Sequence, residues 1–237
     1  MPLQNIKNRE GLVRPPRRLR VTIASGKGGV GKSGMTINVA AAAAASGHSV
    51  AVFDADSDQH SCVEWARAGG TIEVVKIEPA RIRSAVDDHS DRDVIVIDTS
   101  GAVLAEHAAA IDCADLVLVP LSTSTRDFAP AIRTFRKAEA RQRLARYVLS
   151  LIDPSATMNR QLPGKARLRS LMPASVKDVY LEHVFLQSVI TRRVPLRDAM
   201  DAGGTAFSCN LAARSRVEFQ DLFEEIMMLT ATRGEVG

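Results

Sequence analysis

The chain has 237 residues, 46% of them apolar and 24% charged, with 15 glycines and 10 prolines. That is the composition of an ordinary globular domain and excludes wholesale disorder, collagen-like structure and a large multidomain machine. Net charge is only +4, but residues 1–20, 126–146 and 160–197 together carry +16 and the remainder −12, an imbalance that points to a polyanionic partner.

In chain order, residues 1–18 are expected to be a flexible basic arm, with Arg14 to Arg20 rich in Arg and Pro. They contain no apolar segment of the kind a secretory signal requires, so a cytoplasmic location is expected. Leu19 to Ala24 predicts a buried strand running into the glycine loop Gly26 to Gly31. Lys32 to Ala45 predicts a helix ended by Ser46-Gly47, and Ser49 to Phe53 a second strand, completing a βαβ unit. Further strands are predicted over Val94 to Ile97, Leu116 to Val119 and Tyr147 to Ile152. Helices are predicted near 60–68, 79–88, 103–111, 128–144, 165–172 and 212–231. Continuous Val/Ile/Leu strands separated by helices indicate the α/β class, a doubly wound and mostly parallel sheet with helices on both faces, here one domain over 19–231 followed by a short tail, 232–237.

Gly26-Lys27-Gly28-Gly29-Val30-Gly31-Lys32-Ser33 fits G-x-x-x-x-G-K-[ST] between a predicted strand and a predicted helix, the context in which this pattern cradles a nucleoside triphosphate. Glycines let successive amides of Gly26 to Gly34 point at phosphates, Lys32 reaches the β- and γ-phosphates, and Ser33 supplies a hydroxyl to Mg²⁺. Gly26, Gly28 and Gly31 also spell a dinucleotide fingerprint, but that site has no use for Lys32 and Ser33. Asp98 ends the most apolar strand, where a carboxylate would join the metal shell. Asp54 and Asp56 would both face the γ-phosphate if their strand persisted. Cys62, Cys113 and Cys209 form no CxxC pair and suggest neither a zinc site nor a disulfide framework.

Lys27 ahead of the loop completes K-G-G-x-G-K-S, which resembles the deviant Walker A motif of the ParA/MinD ATPases. Phe53 to Gln59 resembles that family's D-x-D-x-Q segment, Asp91 to Thr99 its Walker B strand, Ala114 to Pro120 its next strand, and Ile190 to Met200 its late arginine-containing segment. Thr99-Ser100-Gly101 departs from the family's usual Pro-Pro segment. The resemblance implies an ATP- and Mg²⁺-dependent sandwich homodimer in which Lys27 reaches the ATP of the opposite subunit, Asp56 positions the attacking water, and Asp54 and Asp98 surround the metal.

Within that family, the chain is most similar to small ParA proteins, which lack an N-terminal helix-turn-helix. Arg133, Arg136, Lys137, Arg141, Arg167, Arg169, Arg192 and Arg193 are then candidates for binding double-stranded DNA without sequence preference, giving nucleoid association. The resemblance further implies a ParB-like or other cargo adaptor that stimulates ATP hydrolysis, with a plasmid as the first candidate cargo. A protein cluster, a membrane-associated cargo or conjugative DNA transfer is the alternative. No membrane contact is expected, because the polar positions of Val217 to Leu229 are Glu218, Gln220, Asp221, Glu224 and Glu225, which would repel anionic lipid.

Overall fold

The computed structural model describes residues 18–101, 104–153, 155 and 184–231. The predicted helix at 165–172, the arm before residue 18, the tail, and the candidates Arg167 and Arg169 lie outside the described residues.

Among the described residues, seven strands form one sheet in the order β3-β2-β4-β1-β5-β6-β7, every pairing parallel. In chain order these are β1 (Leu19–Ile23), β2 (Val50–Ala55), β3 (Glu73–Lys76), β4 (Val94–Thr99), β5 (Leu116–Leu121), β6 (Leu144–Ile152) and β7 (Phe185–Thr191). The helices are α1 (Lys32–Ala45), α2 (Ser61–Arg67), α3 (Ile82–Asp88), α4 (Leu104–Cys113), α5 (Thr125–Ala140), α6 (Val194–Asp201) and α7 (Ala213–Ala231).

Alternation along the central strands sorts their side chains onto two faces. Val94, Val96, Leu116 and Leu118 pack with Met35 and Ile37 of α1, Trp65 of α2 and Phe219 and Phe223 of α7. On the opposite face, Ile95 and Ile97 meet Ile82 and Val86 of α3, while Val117 and Val119 meet Phe128 and Phe135 of α5. β1 therefore runs down the middle of a three-layer sandwich. The helix that follows β1 and the helix that follows β4 lie on opposite faces, which opens a crevice at the carboxyl ends of these strands.

Three elements were absent from the sequence expectation: β3, β7 and α6. Both strands are sheet edges, half wet, and neither Glu73–Lys76 nor Phe185–Thr191 carries the continuous apolar run by which the buried strands were recognised. α5 also begins and ends earlier than predicted, which lets β6 start at Leu144. Arg20 belongs to β1 rather than to an arm: its guanidinium donates to both carboxylate oxygens of Asp115, at 3.0 and 2.9 Å.

The acidic face of α7 has a structural use. Glu225 accepts hydrogen bonds from the backbone amides of Gln187 and Ser188 at 2.6 and 3.0 Å, and Glu218 accepts from that of Thr191 at 3.0 Å. These carboxylates, two helical turns apart, satisfy amides along the outer side of β7 and so cover an edge open to further pairing.

Candidate functional site

β1 delivers the chain into the glycine loop at the sheet centre. Gly29 and Gly31 have φ of 76° and 85°, left-handed values that suit glycine. Gly31 is the N-cap of α1 and offers no side-chain cap, so the first amides of the helix remain available to an anion. Three neighbours hold the loop. Thr134 of α5 accepts a hydrogen bond from the Gly26 amide at 3.0 Å, Ser150 of β6 donates to the Val30 carbonyl at 3.1 Å, and Thr99 of β4 donates to the Ile23 carbonyl at 2.9 Å.

Gly28, Gly29, Gly31, Lys32, Ser33 and Gly34 line a cavity of about 350 Å³ whose other wall is Asp56, Asp58, Gln59 and Gly101. The cavity unites the loop with the segment after β2. Lys32 is buried, its ammonium donating to the Lys27 carbonyl at 3.1 Å, and burial pushes its pKa down against the opposing pull of Asp98 and Asp56. Asp56 Oδ1 accepts from the amides of Asp58 and Gln59, at 2.9 and 3.2 Å, which folds the segment into a turn and presents the carboxylate to the cavity.

Asp54 sits differently from the sequence expectation. β2 ends at Ala55, so Asp54 and Asp56 do not share a strand face. Asp54 is fully buried, with Oδ1 accepting from the Asp56 amide and Oδ2 from the amides of Cys62 and Val63 at the start of α2. Its oxygens are taken up in anchoring α2 against β2, and the side chain is not on the cavity wall.

Asp98 lies in direct register with Asp54 across the β2–β4 pair. Thr36 donates to one of its oxygens at 3.1 Å and the Cys62 thiol to the other at 3.4 Å, and the nearby Ser33 hydroxyl favours its charged form. Ser33 and Asp98 thus place two hard oxygen donors together beneath the phosphate cavity, a donor set suited to Mg²⁺ that is completed by phosphate oxygens and water. Among the described residues no cluster of three or more His, Cys, Asp or Glu forms a metal cage of its own.

Complete burial, with the Asp54 charge alongside, pushes the Asp98 carboxyl up to about 6, although the Ser33 hydrogen bond favours the charged form. Because the folded state then holds its proton more tightly than the unfolded chain does, this group costs stability above pH 6 and the cost fades as pH falls toward 4. A displacement of that size corresponds to roughly 3 kcal/mol. Asp98→Asn should therefore raise the melting temperature of the nucleotide-free, Mg²⁺-free protein at pH 7.5, with the gap closing by pH 4.5. A gap that ignores pH would contradict this account.

Lys27 forms an ion pair within its own chain, to Asp127 near the start of α5, which also accepts from the Ser122 hydroxyl. The Asp127 side chain is 5% exposed and that of Lys27 36%. Asp127 lies 100 residues from Lys27 in no recognisable motif, so the sequence carries no signal for the pairing.

A second cavity, about 400 Å³, adjoins the first across Gly29, Gly31 and Gly34. Leu151, Ile190, Leu196 and Met200 make its wall apolar, and Arg192, Arg193 and Arg197 rim it. Arg193 donates to Glu218 at 2.7 Å. Arg192 and Arg193 therefore flank this cavity, whereas Arg133, Arg136, Lys137 and Arg141 lie along α5 and its C-terminal cap, so the basic candidates do not form one group. The segment Ile190 to Met200 supplies much of the lining of this cavity, whereas Leu151 belongs to no motif in the sequence.

Thr99-Ser100-Gly101 packs onto the loop: a Cβ on Gly101 would lie 2.7 Å from the Gly28 amide nitrogen. Ser100 accepts a hydrogen bond at its carbonyl from His107 Nε2 at 2.8 Å. Glycine is thus required by close backbone approach at a position where the sequence comparison had shown only a departure.

The family model described as the CobQ/CobB/MinD/ParA nucleotide-binding domain matches residues 21–206. The chain belongs to this family. Among relatives within it, the maintenance of carboxysome distribution protein A of Gloeobacter kilaueensis is 31% identical over 155 residues, covering 64% of this chain and 65% of that protein. Protein ParA of Rhizobium radiobacter is 31% identical over 112 residues, 45% of this chain and 50% of that one. The chain thus spans less than two thirds of either relative in these matches. The cell-division ATPase MinD of Pyrococcus furiosus shares the MinD/ParA fold, with a TM-score of 0.67 at 18% identity over 90% of this chain and 99% of the other.

Proposed function

We propose that the chain is a ParA-type ATPase that forms an ATP-dependent sandwich dimer, binds DNA without sequence preference, and partitions or positions a cargo, a plasmid first, through partner-stimulated hydrolysis. The observation that carries this is the joining of the loop amides, Lys32, Ser33 and Asp56 around one cavity, with the additional lysine, Lys27, next in the chain to Gly28 of its lining and paired with Asp127.

In this mechanism the loop amides and Lys32 bind and orient the triphosphate, and Lys32 neutralises charge that spreads over the transferred group. Ser33 and Asp98 would hold Mg²⁺, which when bound supplies further charge neutralisation on the phosphates. Asp56 orients the attacking water in line with the leaving oxygen. Lys27 leaves Asp127 and reaches the opposite subunit's ATP, so the cation that speeds turnover arrives only with the partner copy. The stimulating partner is a ParB-like or other cargo adaptor.

DNA binding rests on α5. Arg133, Arg136 and Arg141 are exposed, and Lys137 has its pKa lowered by burial and then by the positive charges of Arg141 and Arg133. Like charges held this close favour a polyanion. Arg141 also pairs with Asp112 at 3.1 Å, which reduces its availability. Among the described residues no helix is long and apolar enough to cross a membrane. The similarity to the carboxysome-distribution relative favours a protein cluster as the second candidate cargo.

The test is fluorescence anisotropy of a random-sequence DNA duplex titrated with protein in ATP–Mg²⁺, in ADP–Mg²⁺ and without nucleotide. Tight binding is expected with ATP only, falling roughly a thousandfold between 50 and 200 mM salt if about six phosphates are neutralised. Absence of binding in every nucleotide state would make the α5 charges a solvated face and move the search to a protein scaffold.

A further inference from the structure

β4 ends at Thr99, and the chain leaves the sheet through Ser100 and Gly101, a stretch with no proline and with a glycine whose backbone has the widest freedom of any residue. Gly101 nonetheless has a fixed place: it lines the phosphate cavity on the wall it shares with Asp56, Asp58 and Gln59. Local sequence supplies no stiffness there, so the restraint comes from tertiary bonds. Thr99 is tied to the Ile23 carbonyl of β1, and the Ser100 carbonyl to His107 of α4.

His107 lies three and four positions before Ala110 and Ile111, on the face of α4 that packs into the core, and like both of them it is 0% exposed. An apolar residue would fill that position without desolvating an imidazole, a cost that hydrogen bonding has to offset. Because a carbonyl only accepts, Nε2 carries the proton and donates it to Ser100 at 2.8 Å. The bond ends one residue from Gly101, whose backbone is packed against Gly28 and the Lys27 carbonyl carbon. A buried ring on α4 is thus connected to the cavity wall although His107 is not itself on that wall.

Resting on the nucleotide reading above, we propose that His107 is a positioning residue for ATP hydrolysis: its Nε2–H, bonded to the Ser100 carbonyl, holds Gly101 against Gly28 and so fixes the wall beside which Asp56 orients the attacking water. The loop amides and Lys32 grip the triphosphate from the other side of the cavity, so loosening Gly101 alters the reacting geometry more than the affinity.

Two variants separate the hydrogen bond from the packing. His107→Leu keeps a buried side chain of similar size and removes the donor, whereas His107→Gln returns an amide N–H near the place of Nε2. Single-turnover hydrolysis in ATP–Mg²⁺ gives the rate, and calorimetric titration with a non-hydrolysable ATP analogue gives the affinity. His107→Leu should hydrolyse ATP about tenfold more slowly while binding the analogue within about threefold of wild type, and His107→Gln should recover the rate to within about threefold. A His107→Leu rate within about twofold of wild type, a His107→Gln rate as low as that of His107→Leu, or equal proportional losses of rate and affinity overturns the positioning role. Should neither variant fold, the wild type decides: in imidazole ¹⁵N spectra His107 should hold the Nε2–H tautomer, and its resonance should shift between ADP–Mg²⁺ and the analogue with Mg²⁺. A resonance that ignores the exchange overturns the proposal as well. Wild type that hydrolyses ATP no faster than His107→Leu defeats this inference only, whereas wild type that binds no analogue defeats the nucleotide reading with it.

Discussion

Asp56→Ala is expected to bind ATP as wild type does and to hydrolyse it at least ~100-fold more slowly. The carboxylate stands on the cavity wall across from the loop, so its loss leaves the phosphate-binding amides and Lys32 in place. Its one demonstrated structural task is to accept from the Asp58 and Gln59 amides through Oδ1. Asp56→Asn preserves that acceptor while discarding the charge. If both variants lose turnover and both retain ATP in equilibrium dialysis, the defect lies in orienting water and not in the shape of the turn. Normal turnover in either would remove Asp56 from the mechanism.

Lys27→Ala should abolish the ATP-dependent shift to dimer in sedimentation velocity, together with partner-stimulated hydrolysis. It also has a cost within the monomer. Asp127, with a side chain only 5% exposed, would lose its ammonium partner and keep Ser122, a penalty of about 1–2 kcal/mol that should appear as a lower melting temperature. Adding Asp127→Asn removes the stranded charge, so the double variant should regain thermal stability while remaining monomeric in ATP. Dimerisation that survives in Lys27→Ala would refute the reach across subunits. Recovery of dimers in the double variant would show that the single variant had failed through folding alone.

These two predictions differ in what made them visible. Asp56 was legible because D-x-D closes the strand after the phosphate-loop helix, all within one local stretch. Its separation from Asp54 was not legible, because it depends on where β2 stops: one residue more of strand would have kept the pair on a shared face, whereas the turn closed by Asp58 and Gln59 sends Asp56 to the cavity and leaves Asp54 on α2. For Asp98 the strand end was readable, but the donors around it, Thr36 and Cys62, come from α1 and α2 and are 62 and 36 residues distant. The edge strands escaped notice for a related reason. Burial on both faces writes an unbroken apolar run into β4 and β5, while β3 and β7 are stabilised by pairing on one side and, for β7, by Glu218 and Glu225 of a helix far along the chain.

The sequence by itself determined the α/β class, the βαβ unit and the phosphate loop, since each is written in contiguous residues: runs of Val, Ile and Leu, an alanine-rich helix, and glycines at fixed spacing before a lysine and a serine. Tertiary structure alone decided that Lys27 rests on Asp127, that Gly101 must lack a side chain against Gly28, and that Asp98 stands in register with Asp54. The physical reason is range. Helix, strand and loop preferences act over a few residues, whereas an ion pair across 100 residues, a backbone contact at 2.7 Å and a sheet register arise only after the layers have packed.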